Sequence, residues 1–127
     1  MLDNNINPYI KSIGCNKIAL GHNKDDLIET MLMSLIYEGR INTFKPKTYL
    51  DRTDVTAIRP ILFIDEADTK GFANKYPLPV LKSKCPADGN TKREYAKELM
   101  HKLDKENKGA KKSLFNACMQ YIDKDIK

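Results

Sequence analysis

The chain has 127 residues, enough for one domain with a real core. Its 22 Lys and Arg stand against 17 Asp and Glu, a formal net charge of +5 that favours anionic partners without requiring them. No apolar run approaches the roughly 20 residues that cross a bilayer, and no basic segment leads into an apolar one at the start. With three widely spaced cysteines, Cys15, Cys85 and Cys118, the expectation is a reduced cytoplasmic protein with no membrane partner.

Asn7-Pro8 predicts a short helix carrying Tyr9, Ile10 and Ile13, ended by Gly14. The apolar run Lys17 to Leu20 predicts a buried strand with Gly21 as a tight exit. From Lys24 to Glu38 the period is helical: Leu27, Met31 and Leu35 form one row, Ile28, Leu32 and Ile36 the next, and Gly39 stands at the C-cap position. Two adjacent rows predict deep burial. Residues 40–53 read as an irregular crossover of basic and aromatic character.

Val55 to Ile64 predicts a second strand, with Pro60 at its end or edge because it lacks a ladder donor. Asp65 is placed to cap a helix to about Tyr76 with Ala67, Phe72 and Ala73 inward. Val80 and Leu81 suggest a brief third strand before a loop over residues 82–90. Thr91-Lys-Arg-Glu94 has capping-box spacing and opens a helix, and a lysine-rich hinge at residues 105–112 precedes a last helix with Leu114, Phe115, Cys118, Tyr121 and Ile122. The order predicts an α/β fold, a partial Rossmann-like parallel sheet with additional C-terminal helices. Two firm strands are few for such buried helices, so the chain reads as part of a domain.

Asp25, Asp26 and Glu29 can share one surface at the first turn of the long helix, beyond the carboxyl end of the first strand, where α/β sheets bind ligands. They either hold Mg²⁺ or a ribose hydroxyl, or complement the positive helix end at about 0.3–1 kcal/mol each. His22 either touches phosphate, orients an acid or serves as a structural hydrogen-bonding residue. Met31 and Met33 read as packing.

The run Leu20-Gly-His-Asn-Lys-Asp-Asp-Leu-Ile-Glu-Thr30, with Tyr37-Glu-Gly39, Ile58-Arg-Pro-Ile-Leu62 and Cys85-Pro86, resembles the second half of the tRNA-thiolating PP-loop ATPases, closest to the tRNA 2-thiocytidine synthetase family. The resemblance implies an adenine nucleotide α-hydrolase-like fold over residues 1–104, with 105–127 as a helical extension. It implies adenylation of a tRNA base by ATP with Mg²⁺, followed by sulfur insertion from a sulfur donor. Gly21, His22 and Asp26 then line the nucleotide, and Asp25 and Asp26 are the catalytic and Mg²⁺-binding acids. Cys85 corresponds to one ligand of a 4Fe-4S cluster whose other cysteines come from a C-x-x-C motif. Cys15 and Cys118 read as buried packing.

The departures from that family are large. The sequence contains neither the ser-gly-gly-x-asp-ser phosphate loop nor the C-x-x-C pair. The expectation is a truncated product, one part of a split enzyme or an excised half, inactive without the missing N-terminal half and completed by that half or by a homodimer partner. Lys45, Lys47, Arg59, Lys92 and Arg93 are candidates for tRNA contact. The basic residues near the C-terminus alternate with acids and equally describe a solvated helix face. The alternative to a sulfurtransferase portion is a noncatalytic RNA-binding or assembly module that kept the fold; a third reading is a metal hydrolase using His22, Asp25 and Asp26.

Overall fold

A computed structural model describes residues 6–80 and 91–126. Helix α1 (Ile6–Ser12) ends at Gly14, which takes a left-handed φ of 81°. β1 (Lys17–Ala19) leads through Gly21 into α2 (Lys24–Met33), which closes with a π-helical turn over Ser34–Glu38. β2 (Lys47–Leu50) and β3 (Val55–Ile58) form a hairpin. Among the described residues three helices follow: α3 (Glu66–Lys75), α4 (Thr91–Glu106) and α5 (Ala110–Ile126).

The sheet has the order β1-β3-β2, and it is mixed. β1 pairs parallel with β3, Ile18 opposite Ala57, as the α/β reading requires. β2 pairs antiparallel with β3, Lys47 opposite Ile58, inside the segment expected to be irregular. That strand has only four residues and half-exposed alternation, too little apolar signal to stand out beside Pro46. β3 is also shorter than predicted. Pro60 cannot donate to a ladder, and the chain turns over residues 60–63 with the Leu62 N–H on the Arg59 carbonyl at 3.2 Å.

The two apolar rows of α2 organise the core, and each has its own neighbour. Leu27 and Met31 pack with Leu62 and with Cys118 and Ile122 of α5. Ile28 and Leu32 pack with Ala96 and Met100 of α4. Deep burial holds for these four but fails at Leu35 and Ile36, which are 47% and 44% exposed. The π turn explains the change: its bonds span five residues, so the last turn rotates out of phase with the rows before it. Gly39 then ends the helix at φ 65°, the left-handed cap expected of it.

α2 starts with a reciprocal cap. The Asp26 N–H donates to Asn23 Oδ1 at 3.0 Å while the Asn23 N–H donates to Asp26 Oδ2 at 2.9 Å. Asn23→Ala is expected to cost about 1 kcal/mol in urea denaturation, because the Asp26 carboxylate still accepts the residue-23 N–H but the Asp26 N–H loses its side-chain acceptor. A loss within about 0.3 kcal/mol would show that the cap is replaced by water.

Several expectations change at α3. None of its residues is buried, so Phe72 and Ala67 face outward and Phe72 packs on Tyr76 with ring centroids 4.8 Å apart. Asp65 makes no side-chain capping bond; the helix is held instead through Glu66, whose N–H donates to Asp25 of α2 at 2.9 Å and whose carboxylate takes Lys97 of α4 at 3.1 Å. Cys118 is buried as expected, whereas Cys15 is exposed, because the chain leaves α1 on the surface before β1. Val80 lies in no strand, and Leu81, Cys85 and the loop at 82–90 fall outside the described residues.

Candidate functional site

Because β1 and β3 are parallel, their carboxyl ends open on one side of the sheet, and antiparallel β2 begins there. Ligands of open α/β sheets sit beyond such ends. The exit of β1, the entry to β2, the end of β3 and the first turn of α2 therefore meet. Backbone bonds fix the junction: Leu20 N–H to the Ile58 carbonyl and Arg59 N–H to the Pro46 carbonyl, both 2.9 Å. A methyl group on Gly21 would meet nothing within 4 Å, so its backbone borders open space.

His22 stands over this mouth. Its ring stacks on Phe44 with centroids 4.1 Å apart and planes 7° from parallel. Arg59 donates from Nε to His22 Nδ1 at 3.1 Å, lies 4.8 Å from the Phe44 ring centre, and donates to the Lys45 carbonyl at 2.8 Å. Burial and the Arg59 charge hold the His22 pKa below its usual 6.5 against the opposing pull of Asp26.

The three acids of α2 separate. Asp26 turns to the Asn23 cap, and its Oδ1 lies 4.0 Å from Arg93 of α4. Asp25 is 2% exposed and points to α3 and α5, accepting from the Glu66 N–H and from Lys111 at 3.0 and 3.1 Å. Burial pushes its pKa up, but those donors outweigh burial and hold it below the usual value. Glu29, 1% exposed, accepts from Arg93 at 3.2 Å through Oε1, while Oε2 has no hydrogen-bond partner. Burial raises its pKa to about 7, against the pull of Lys97 and Arg93.

The basic candidates separate as well. Lys45, Lys47 and Arg59 gather at the mouth, where the antiparallel register sets Lys47 opposite Ile58. Lys92 lies 5.0 Å from the Tyr37 ring centre, and Arg93 is engaged by Glu29, Thr30 and Asp26. Sequence reasoning missed the Phe44 stack, the Arg93–Glu29 pair and the Lys111–Asp25 pair. The pairs join residues 64 and 86 positions apart, and no local pattern encodes such partners. Among the described residues no group of three or more His, Cys, Asp or Glu is arranged to hold a metal ion. Cys118 is unsuited to ligation, its thiol pushed by burial to about 11.

Comparison with known proteins decides the relationship. No protein-family profile matches the chain. The tRNA-cytidine(32) 2-sulfurtransferase of Geobacter sulfurreducens is 36% identical over 109 residues, 84% of this chain and 42% of the relative. That of Geotalea uraniireducens is 40% identical over 105 residues, 81% of this chain and 42% of the relative. The chain is homologous to part of the tRNA-cytidine(32) 2-sulfurtransferases. It spans about two fifths of the length of these sulfurtransferases. A solved structure, the U34-tRNA thiolase NcsA from Methanococcus maripaludis with its [4Fe-4S] cluster, superposes on 92% of the chain with a TM-score of 0.71 at 24% identity, covering 40% of that protein. The likeness establishes a shared fold, and with it the α/β reading. No helix among the described residues is long and apolar enough to cross a membrane.

Proposed function

We propose that this chain forms one wall of an ATP-dependent tRNA thiolation site and contributes nucleotide and tRNA contacts to an enzyme completed by a further polypeptide segment. The observation that carries the reading is the meeting of Gly21, His22, Asp26 and Arg59 at the carboxyl ends of two parallel strands, in a chain homologous to tRNA sulfurtransferases. The substrate class follows the relatives, a cytidine of tRNA; its adenylation by ATP and attack by a sulfur donor, in the cytoplasm, are what the family resemblance implies.

In this reading a nucleotide would approach the Gly21 backbone through the open space beside it, and the His22 ring would add a polar edge there. Asp26 suits Mg²⁺, which commonly takes one or two protein carboxylates and completes its shell with nucleotide phosphates and water. Asp25 is already occupied by Lys111 and the Glu66 N–H, so its part in nucleotide chemistry would require breaking that pair. Bound Mg²⁺ would supply charge neutralisation at the phosphates. The described residues do not fit a 4Fe-4S cluster: Cys118 is in the core and Cys15 is exposed without a second cysteine beside it. Cluster ligation through Cys85 therefore rests on family likeness and on cysteines contributed from elsewhere.

The sequence contains no glycine-rich phosphate loop, so the backbone donors that stabilise developing phosphate charge are missing from this chain. The expected result is no thiolation by the chain alone. A chimaera in which it replaces the aligned segment of the Geobacter sulfurreducens protein is expected to form 2-thiocytidine in tRNA with ATP and Mg²⁺, and Asp26→Asn in that chimaera to lose most of the activity. A chimaera that folds and binds tRNA but neither binds ATP nor thiolates would favour the second reading, a noncatalytic RNA-binding module, for which the formal charge of +5 speaks.

A further inference from the structure

We infer that Arg59 is a positioning residue that fixes His22 as the neutral imidazole with its proton on Nε2, presenting a hydrogen-bond donor at the mouth of the sheet. Arginine has donors and no acceptor, so the Arg59 Nε–H can bond Nδ1 at 3.1 Å only where Nδ1 carries a lone pair. A neutral ring with a bare Nδ1 holds its proton on Nε2. Protonating the ring would set an N–H against the guanidinium and end the bond.

Neither member of the pair is free to turn away. Arg59 is anchored by its own N–H on the Pro46 carbonyl at 2.9 Å and by donation to the Lys45 carbonyl and the Thr48 hydroxyl at 2.8 and 3.3 Å. The imidazole is held flat by Phe44, which Arg59 also covers. Charged groups reach the ring from each neighbouring element: Arg59 beyond β3, Arg93 on α4 and, with opposite sign, Asp26 on α2. Lys45 precedes β2 at the same mouth. Nε2 has no hydrogen-bond partner among the described residues.

The use of this donor rests on the nucleotide reading above, in which Nε2–H would meet an oxygen of the bound nucleotide. Its existence does not, and the two are separable. The chain has two histidines, His22 and exposed His101, so nitrogen NMR of the ¹⁵N-labelled protein resolves both rings without ligand. At pH 7 His22 is expected to show a pyridine-type Nδ1 and a pyrrole-type Nε2. In Arg59→Met the two His22 nitrogen resonances should move toward each other as the tautomers mix, and the His22 titration midpoint should rise toward 6.5. Phe44→Leu, which removes the stack and keeps the Arg59 bond, should retain the tautomer. A wild-type His22 protonated on Nδ1, or an unchanged tautomer in a folded Arg59→Met protein, would overturn the assignment. Because no nucleotide is added, failure of the protein to bind ATP would sink the functional reading alone.

Discussion

Urea denaturation of the Arg93→Met protein is expected to show a loss of about 2–3 kcal/mol at pH 8 and a much smaller loss at pH 5. Arg93 is the direct hydrogen-bond partner of Glu29, a carboxylate 1% exposed with one oxygen unbonded. Removing the arginine while Glu29 is charged leaves a buried anion with only the more distant Lys97 to offset it. Protonation relieves that cost, so the penalty shrinks as pH falls.

The sign follows from linkage. Burial raises the Glu29 pKa in the folded state to about 7 from a usual 4.5, against the pull of Lys97 and Arg93. The folded state therefore binds this proton more tightly, and the associated stability is complete below pH 4.5 and lost as pH rises through about 7. The term amounts to about 3 kcal/mol for the wild type. Glu29→Gln should flatten the stability profile between pH 5 and 8, and Arg93→Met should steepen it and carry it to higher pH. Parallel profiles for all three proteins would show that Glu29 does not titrate in this window.

What could be read from residues alone follows the range of the interactions involved. The passage from β1 through Gly21 into α2 is legible because an apolar run, a glycine and a 3.6-residue period are local signals, although β1, expected to be buried, is exposed at Lys17 and Ala19 and half-buried at Ile18. The left-handed cap at Gly39 was legible for the same reason. Deep burial was read correctly at Leu27, Ile28, Met31 and Leu32 and wrongly at Leu35 and Ile36, since nothing in the composition marks the π turn that rotates them outward. β2 was missed because four residues in a basic segment take their pairing from β3 rather than from their own pattern. The acidic turn was recognised as a unit, but its division needed Arg93, Lys111 and Glu66, which the fold delivers from three other helices.

That division sets the second large effect. Asp25→Ala is expected to cost about 2–3 kcal/mol at pH 7, because it orphans the Glu66 N–H at the start of α3 and leaves Lys111 with only Asp65, at 3.4 Å. Asp25→Asn keeps an acceptor for the N–H and loses the charge, and should cost about 1 kcal/mol. The pH dependence runs opposite to that of Glu29. Burial acts to raise the Asp25 pKa, but the Glu66 N–H and Lys111 together hold it below the usual 3.8, so its stability is present above pH 3.8 and lost as pH falls through the lower folded value. The advantage of wild type over Asp25→Asn should therefore shrink in acid. Asp26→Asn is expected to stay within about 1 kcal/mol of wild type, since the amide oxygen can still accept the Asn23 N–H. In the chimaeric enzyme the Asp26 substitution should remove thiolation from a stable protein, whereas Asp25→Ala should remove it by way of the fold, losing activity only where urea resistance is lost too. Equal stability losses for Asp25→Asn and Asp25→Ala would shift the weight from the Glu66 N–H to the Lys111 charge, and a destabilised Asp26→Asn would end the separation of the two aspartates into a fold-holding and a ligand-facing group.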